Sequence, residues 1–112
     1  MLNRPPHSYI HQGDTLPALT GTLQNIDRST VDLTGCTVSL ELTEMATGVI
    51  TSLPATIIND GTLGQVAHQW QSGETDVSGA YFYHWLVVWP GPTRPESFPN
   101  DSRGLVLVVT PS

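Results

Sequence analysis

Between Gly13 and Gly48 the chain reads GDTLPALTGTLQNIDRSTVDLTGCTVSLELTEMATG, and within it Val38, Leu40 and Leu42 alternate with Ser39, Glu41 and Thr43. A period of two sends alternate side chains to opposite faces of an extended backbone. This segment is therefore a strand with one buried and one wet face, because a helix would scatter the same residues around its circumference. Leu16 to Leu23 reads as an earlier strand, with Leu19 and Leu23 inward and Pro17 near its start, where proline is tolerated. Asn25 to Ser29 reads as a turn, and Ala46-Thr47-Gly48 turns the chain again.

No helical period persists elsewhere. Ten Gly and nine Pro interrupt the chain every ten residues or so, which favours many short strands. His7 to His11 suits a short edge strand. Val49 to Ile58 gives one or two strands broken at Pro54, and Asn59-Asp60-Gly61 is a strong turn signal. Gly64 to Trp70 follows, with Val66, His68 and Trp70 on one face. Gln71 to Ser78 is polar and reads as loop. Gly79 to Trp89 is the most apolar strand. Tyr81, Tyr83, Trp85, Val87 and Trp89 share one face, and Phe82, His84, Leu86 and Val88 share the other. A strand apolar on both faces is central or covered by a partner. Pro90-Gly91-Pro92 stops it, Pro92 to Ser102 reads as a loop suited to contacts, and Leu105 to Val109 is the final strand.

These elements predict an all-β chain, an antiparallel β-sandwich of about seven or eight short strands. Asp76-Val77-Ser78-Gly79-Ala80-Tyr81-Phe82-Tyr83 resembles the tyrosine-corner passage of immunoglobulin domains, with Tyr83 where the second disulfide cysteine would stand. The expected fold is thus Ig-like without a disulfide, since Cys36 is the single cysteine. Trp70 or Trp85 could fill the core in place of the bridge. The expected core is Leu19, Leu23, Val38, Leu40, Leu42, Trp70, Tyr81, Tyr83, Trp85 and Leu107. Residues 1–12 are expected to form an arm or edge strand, and residues 13–112 a single Ig-like domain. A chain of 112 residues suits one domain, burying roughly two-thirds of its unfolded surface.

The chain has four Arg, no Lys and ten acidic residues, a formal charge of −6. Binding to phosphate backbones needs clustered basic groups, and these four Arg are scattered. Neither nucleic acid nor an anionic membrane is an expected partner. Charged residues are only 12%, about half the usual share, so Ser, Thr, Asn, Gln, Gly and Pro must cover much of the surface. That suits contact with other protein surfaces, and equally an extracellular β domain. Met1 to Pro6 has no apolar core of a secretion signal, and no apolar run approaches the ~20 residues of a membrane helix.

Residues with chemical potential assemble no recognisable site. His7 and His11 would stand about 13 Å apart on a strand and could not chelate as on a helix. His68 and His84 lie in separate strands. Asp14, Asp27, Asp32 and Asp101 lie in loops but match no spaced calcium loop, and Asp32 and Asp101 are expected to cap turns. Glu41, Glu44, Glu74 and Asp76 do not define a paired-carboxylate cleft. Gly61-Thr62-Leu63-Gly64 lacks the Lys and helix of a phosphate loop, and no nucleophile elbow is present. Cys36 reads as a small buried hydrophobe. No metal, cofactor or catalytic residue is expected. The aromatic set Tyr81, Tyr83, Trp85 and Trp89 could offer a sugar platform, although core packing is the favoured reading. Trp89, at a strand end, is a candidate interface anchor, since Trp is enriched at hot spots. Candidate interface residues are Trp89, Pro90, Pro92, Arg94, Phe98, Tyr9 and Ile10.

Gly13-Asp14-Thr15-Leu16-Pro17-Ala18-Leu19, followed by Val31-Asp32-Leu33-Thr34-Gly35-Cys36-Thr37-Val38, resembles small tail-associated proteins of tailed bacteriophages related to the N-terminal domain of the phage baseplate upper protein. Ala46-Thr47-Gly48, Gly79-Ala80-Tyr81 and Phe98-Pro99-Asn100-Asp101 fit the same order, so the resemblance spans roughly residues 13–110. Cys36 stands where an Ala is usual, and Pro90 to Pro95 enlarges a hairpin. The resemblance implies a structural, non-enzymatic virion protein, made in the bacterial host cytoplasm. It would be an adaptor or decorating subunit of tail, baseplate or neck, contacting other virion proteins and symmetric copies of itself. Capsid decoration, or a carbohydrate-binding module recognising a host glycan, are the alternatives.

Overall fold

The alternation of residues 38–43 becomes β3, Thr37–Glu44, in which Val38, Leu40 and Leu42 are buried while Ser39, Glu41 and Thr43 stay partly exposed. The computed structural model describes residues 7–25, 27, 29–91, 95–98 and 105–111. In these, the strands in chain order are β1 His7–His11, β2 Leu19–Thr22, β3, β4 Ile50–Pro54, β5 Thr56–Ile57, β6 Gln65–His68, β7 Gly79–Val88, β8 Glu96–Phe98 and β9 Leu105–Thr110. No helix occurs among the described residues.

Two sheets result. The larger runs β1-β9-β7-β3-β4, with β8 also on β7, and the smaller runs β2-β6-β5. β7 is central in the larger sheet. It pairs along its length with β3, and on its other side with β9 over Gly79–Tyr83 and β8 over Trp85–Val87. The chain changes sheets at Ala55, between β4 and β5, so the strand pattern broken at Pro54 is two strands in two sheets.

One core lies between the sheets. The larger contributes Ile10, Val38, Leu40, Leu42, Tyr83, Trp85, Val87, Phe98, Leu107 and Val109, and the smaller contributes Leu19 and Val66. Leu23, Val31, Leu33 and Trp70 close it from flanking loops. Two glycines are required by this closure. Gly64 has φ +67°, and a Cβ there would meet the Leu23 carbonyl oxygen at 2.7 Å. A Cβ on Gly21 would meet the Trp85 indole nitrogen at 2.8 Å.

Several expectations need correction. The sheets are not wholly antiparallel, because β1 pairs in parallel with β9, His7 beside Val106 through His11 beside Thr110. Nine strands are present among the described residues rather than seven or eight. The Pro92–Ser102 loop contains β8, whose backbone pairs with β7, and residues 92–94 and 99–102 lie outside the described residues. The strand expected over Leu16–Leu23 is confined to Leu19–Thr22. Tyr81 is only half-buried, because it sits near the mouth of the sandwich, where its hydroxyl donates to the Val77 carbonyl at 2.9 Å.

Candidate functional site

The strongest candidate for a working surface is the open side of the sandwich along β2. In the β2–β6 ladder, Leu23 N–H donates to Gly64 O at 2.7 Å, and Gly21 and Leu19 stand opposite Val66 and His68 in the same register. Bonded and non-bonded pairs alternate in antiparallel ladders. Leu19, Gly21 and Leu23 therefore point their amide and carbonyl groups at β6, and Thr20 and Thr22 point theirs outward. β2 ends its sheet, and among the described residues nothing pairs with that outer edge.

Two cavities lie end to end along this edge. One, of about 240 Å3, is lined by Ile10, Pro17, Leu19, Thr20, Trp70 and Leu107 among others. The other, of about 410 Å3, is lined by Gly21, Thr22, Leu23, Trp85, Phe98 and Leu105 together with Gln24 and Asn25. The second lining is the more apolar, as binding clefts usually are, whereas the first presents more polar than apolar surface, with Ser8, Tyr9 and Thr20 in its wall. Trp85 is 1% exposed, and its indole N–H has no hydrogen-bond partner among the described residues. Buried indole N–H groups ordinarily find one.

A second surface lies at the opposite edge. Around a cavity of about 230 Å3, Val49 and Val77 stand above Leu42, Leu53 and Tyr81, with Glu44 and Glu74 at its border. Val49, Ile50 and Val77 are each about 60% exposed. A third surface is the outer face of the larger sheet, where Tyr9, Val108 and Ala80 stand in one row and Val106 and Phe82 in the next.

The expected interface residues separate under this geometry. Tyr9 and Pro90 are exposed, and Trp89 is half-buried against the core. Phe98 and Ile10 are not surface anchors: each is buried, at 2% and 4% exposure, because β8 and β1 join the larger sheet and turn these residues inward. Pro92 and Arg94 lie outside the described residues. Of the aromatic set, Tyr83 and Trp85 are buried and meet edge to face at 6.2 Å, so they present no face to a sugar.

The sequence reading missed a buried polar pair. His68, 2% exposed, places Nδ1 2.6 Å from the Pro54 carbonyl oxygen and Nε2 2.8 Å from Glu74 Oε1. A carbonyl oxygen only accepts, so Nδ1 donates to it, and Nε2 lies within hydrogen-bond distance of Oε1. The same Oε1 accepts from the Gln71 amide at 2.8 Å. The pair therefore ties β6 to β4 and to the loop before β7. Its sequence signal was faint, a His and a Glu six residues apart across a turn.

The remaining polar groups are local. Asp27, Asp32 and Asp60 each accept from the amide and hydroxyl of the Ser or Thr two residues on, which holds their carboxyls below the usual range. Asp32 thus does cap a turn, while Asp101 lies outside the described residues. Burial, with the Asp32 charge adding to it, pushes the Cys36 thiol up, away from the reactive thiolate. Burial also raises the Tyr83 phenol, whose oxygen is 3.4 Å from Ser8 Oγ. Among the described residues, no three His, Cys, Asp or Glu side chains gather as metal ligands would. No protein-family model matches the chain, and no curated protein or solved structure matches it significantly.

Proposed function

We propose that this chain is a non-enzymatic structural protein of a tailed-phage virion, an Ig-like adaptor or decorating subunit in the tail, baseplate or neck. The observation that carries the reading is the ordered run of motifs from Gly13-Asp14-Thr15 to Phe98-Pro99-Asn100-Asp101.

The strand arrangement supports the Ig-like part. The sheet orders β2-β6-β5 and β4-β3-β7-β9 are those that strands B-E-D and C′-C-F-G would take in a variable-type domain. The Tyr81 hydroxyl reaches back four residues to Val77 O, as a tyrosine corner does. Antibody domains join strands B and F by a disulfide. Here Trp85 of β7 lies on Gly21 of β2 and spans the same two strands through packing.

The low charge and the apolar patches outside the core suit a subunit held by neighbouring protein surfaces. Mass spectrometry of purified particles tests the reading, and absence of the chain from virions overturns it. Electron microscopy of labelled particles separates tail, baseplate and neck from capsid decoration. A host-glycan role would rest on the half-buried Tyr81 and Trp89, and a glycan array with wild type and Trp89→Ala tests it.

A further inference from the structure

We propose that the outer edge of β2, with the cavities beside it, receives an extended strand from a partner protein, which extends the smaller sheet by main-chain hydrogen bonding. The inference rests on the assembly reading for the existence of a protein partner, and adds the surface used and the chemistry of what binds there.

Three observations converge on this edge. Thr20 and Thr22 turn amides and carbonyls outward at the end of a sheet, and an edge of that kind is a template for another chain. Two separate cavities flank β2, one with Leu19, Trp70 and Leu107 in its wall and the other with Leu23, Trp85, Phe98 and Leu105. Beneath Gly21, Trp85 adds a buried indole N–H without an acceptor among the described residues.

A peptide strand answers the first two. Its backbone alternates donors and acceptors, its alternate side chains reach the two cavities, and its seating beside Gly21 would be felt by the Trp85 indole beneath. No other single ligand class offers the matched ladder.

A second copy of this chain fits less well. Its own β2 already directs Leu19 into its own core, and the intervening Gly21 carries no side chain to fill a neighbour's cavities. Each copy also carries −6, and no Lys or Arg occurs among the described residues. Opposite charge speeds encounter and favours the right partner, so the incoming strand is expected to be apolar at alternate positions and flanked by basic residues.

The test uses the isolated full chain, labelled with 15N, and the soluble peptide acetyl-Arg-Val-Thr-Val-Thr-Val-Arg-amide. Saturation with peptide should slow amide exchange at Thr20 and Thr22 by tenfold or more and shift the Trp85 indole signal. The same peptide N-methylated at alternate residues cannot form the ladder and should do neither. Thr22→Pro removes one outward donor and leaves the β6 ladder intact. It should weaken binding by roughly five- to tenfold, the worth of about one hydrogen bond. The N-methylated control on wild type keeps the test valid if that variant fails to fold.

The proposal is overturned if millimolar peptide leaves both amides unchanged, or if the N-methylated peptide binds equally well. It is also overturned if Thr20 and Thr22 are already as protected as Gly21 in the unbound protein. A concentration-dependent dimer abolished by Thr22→Pro overturns it in favour of a second copy. Absence of the chain from virions would remove the phage reading and leave the peptide result standing.

Discussion

Trp85 of β7 lies edge-on over Gly21 of β2, so close that a methyl group at Gly21 would stand 2.8 Å from the indole nitrogen and 3.2 Å from Cε2. The two residues sit in opposite sheets and set the spacing between them at that point. A larger residue at 21 cannot be accommodated by a flexible chain end, because the obstacle is a rigid ring that is 1% exposed.

Gly21→Ala is accordingly expected to destabilise the fold by about 1–3 kcal/mol, the usual cost of overpacking a filled core. Urea denaturation measures it. Trp85→Phe removes the obstructing ring and its N–H, so in that background the same Gly21→Ala change should cost clearly less. A double-mutant cycle with no coupling between the two sites would contradict the contact.

The His68–Glu74 pair sets a second expectation. Glu74→Ala leaves His68 Nε2 without its partner and the Gln71 amide without its acceptor. The expected loss is about 1–3 kcal/mol, the cost of stranding a buried polar group. His68→Ala should cost more, since it also abandons the Pro54 carbonyl and empties a fully buried site beside Trp70, whose ring lies 4.8 Å away. Chemical denaturation of both variants decides the order, and equal stability of Glu74→Ala and wild type would show that the pair contributes nothing.

What the sequence disclosed and what it hid follow from the range of each interaction. β3 was legible because Val38, Leu40 and Leu42 repeat every second residue, and one buried face enforces that period. The central place of β7 was legible for a different reason, since large apolar groups stand on both of its faces. β8 was not, since Glu96-Ser97-Phe98 is too short to display a period and owes its extended form to pairing with β7. The parallel pairing of β1 with β9 joins residues about a hundred positions apart in the chain, and no local pattern encodes it. The open edge of β2 and its cavities also arise only once the sheets are stacked. Thr20 and Thr22 look in sequence like any wet positions of a strand.

Tyr81 provides a third expectation. Its hydroxyl donates to Val77 O at 2.9 Å and anchors the turn that leads into β7. Tyr81→Phe keeps the ring packed against the core and deletes only this bond. The expected cost is about 0.5–1.5 kcal/mol, with amide exchange accelerated at 77–80 before the rest of β7. Unchanged exchange there would mean that the turn holds without the bond.

The pH dependence is set by three carboxylates of one local design. Asp27, Asp32 and Asp60 are each held below the ordinary carboxyl value, first by the side-chain hydroxyl and then by the amide of Ser29, Thr34 and Thr62 respectively. Burial opposes the shift at each, and the Asp60 charge opposes it slightly at Asp32. A group more acidic in the folded state than in the unfolded chain binds fewer protons when folded. Its contribution is therefore complete above the unfolded value, near 3.9 for Asp, and is lost as pH falls through the lower folded value. Thermal melts between about pH 6 and pH 2 should show a fall in Tm that steepens below about pH 4. The triple variant Asp27→Asn, Asp32→Asn and Asp60→Asn retains a side-chain oxygen to accept both bonds but carries no titrating group. Its Tm should fall less over the same acid range, and a profile parallel to wild type would assign the acid sensitivity to other carboxylates.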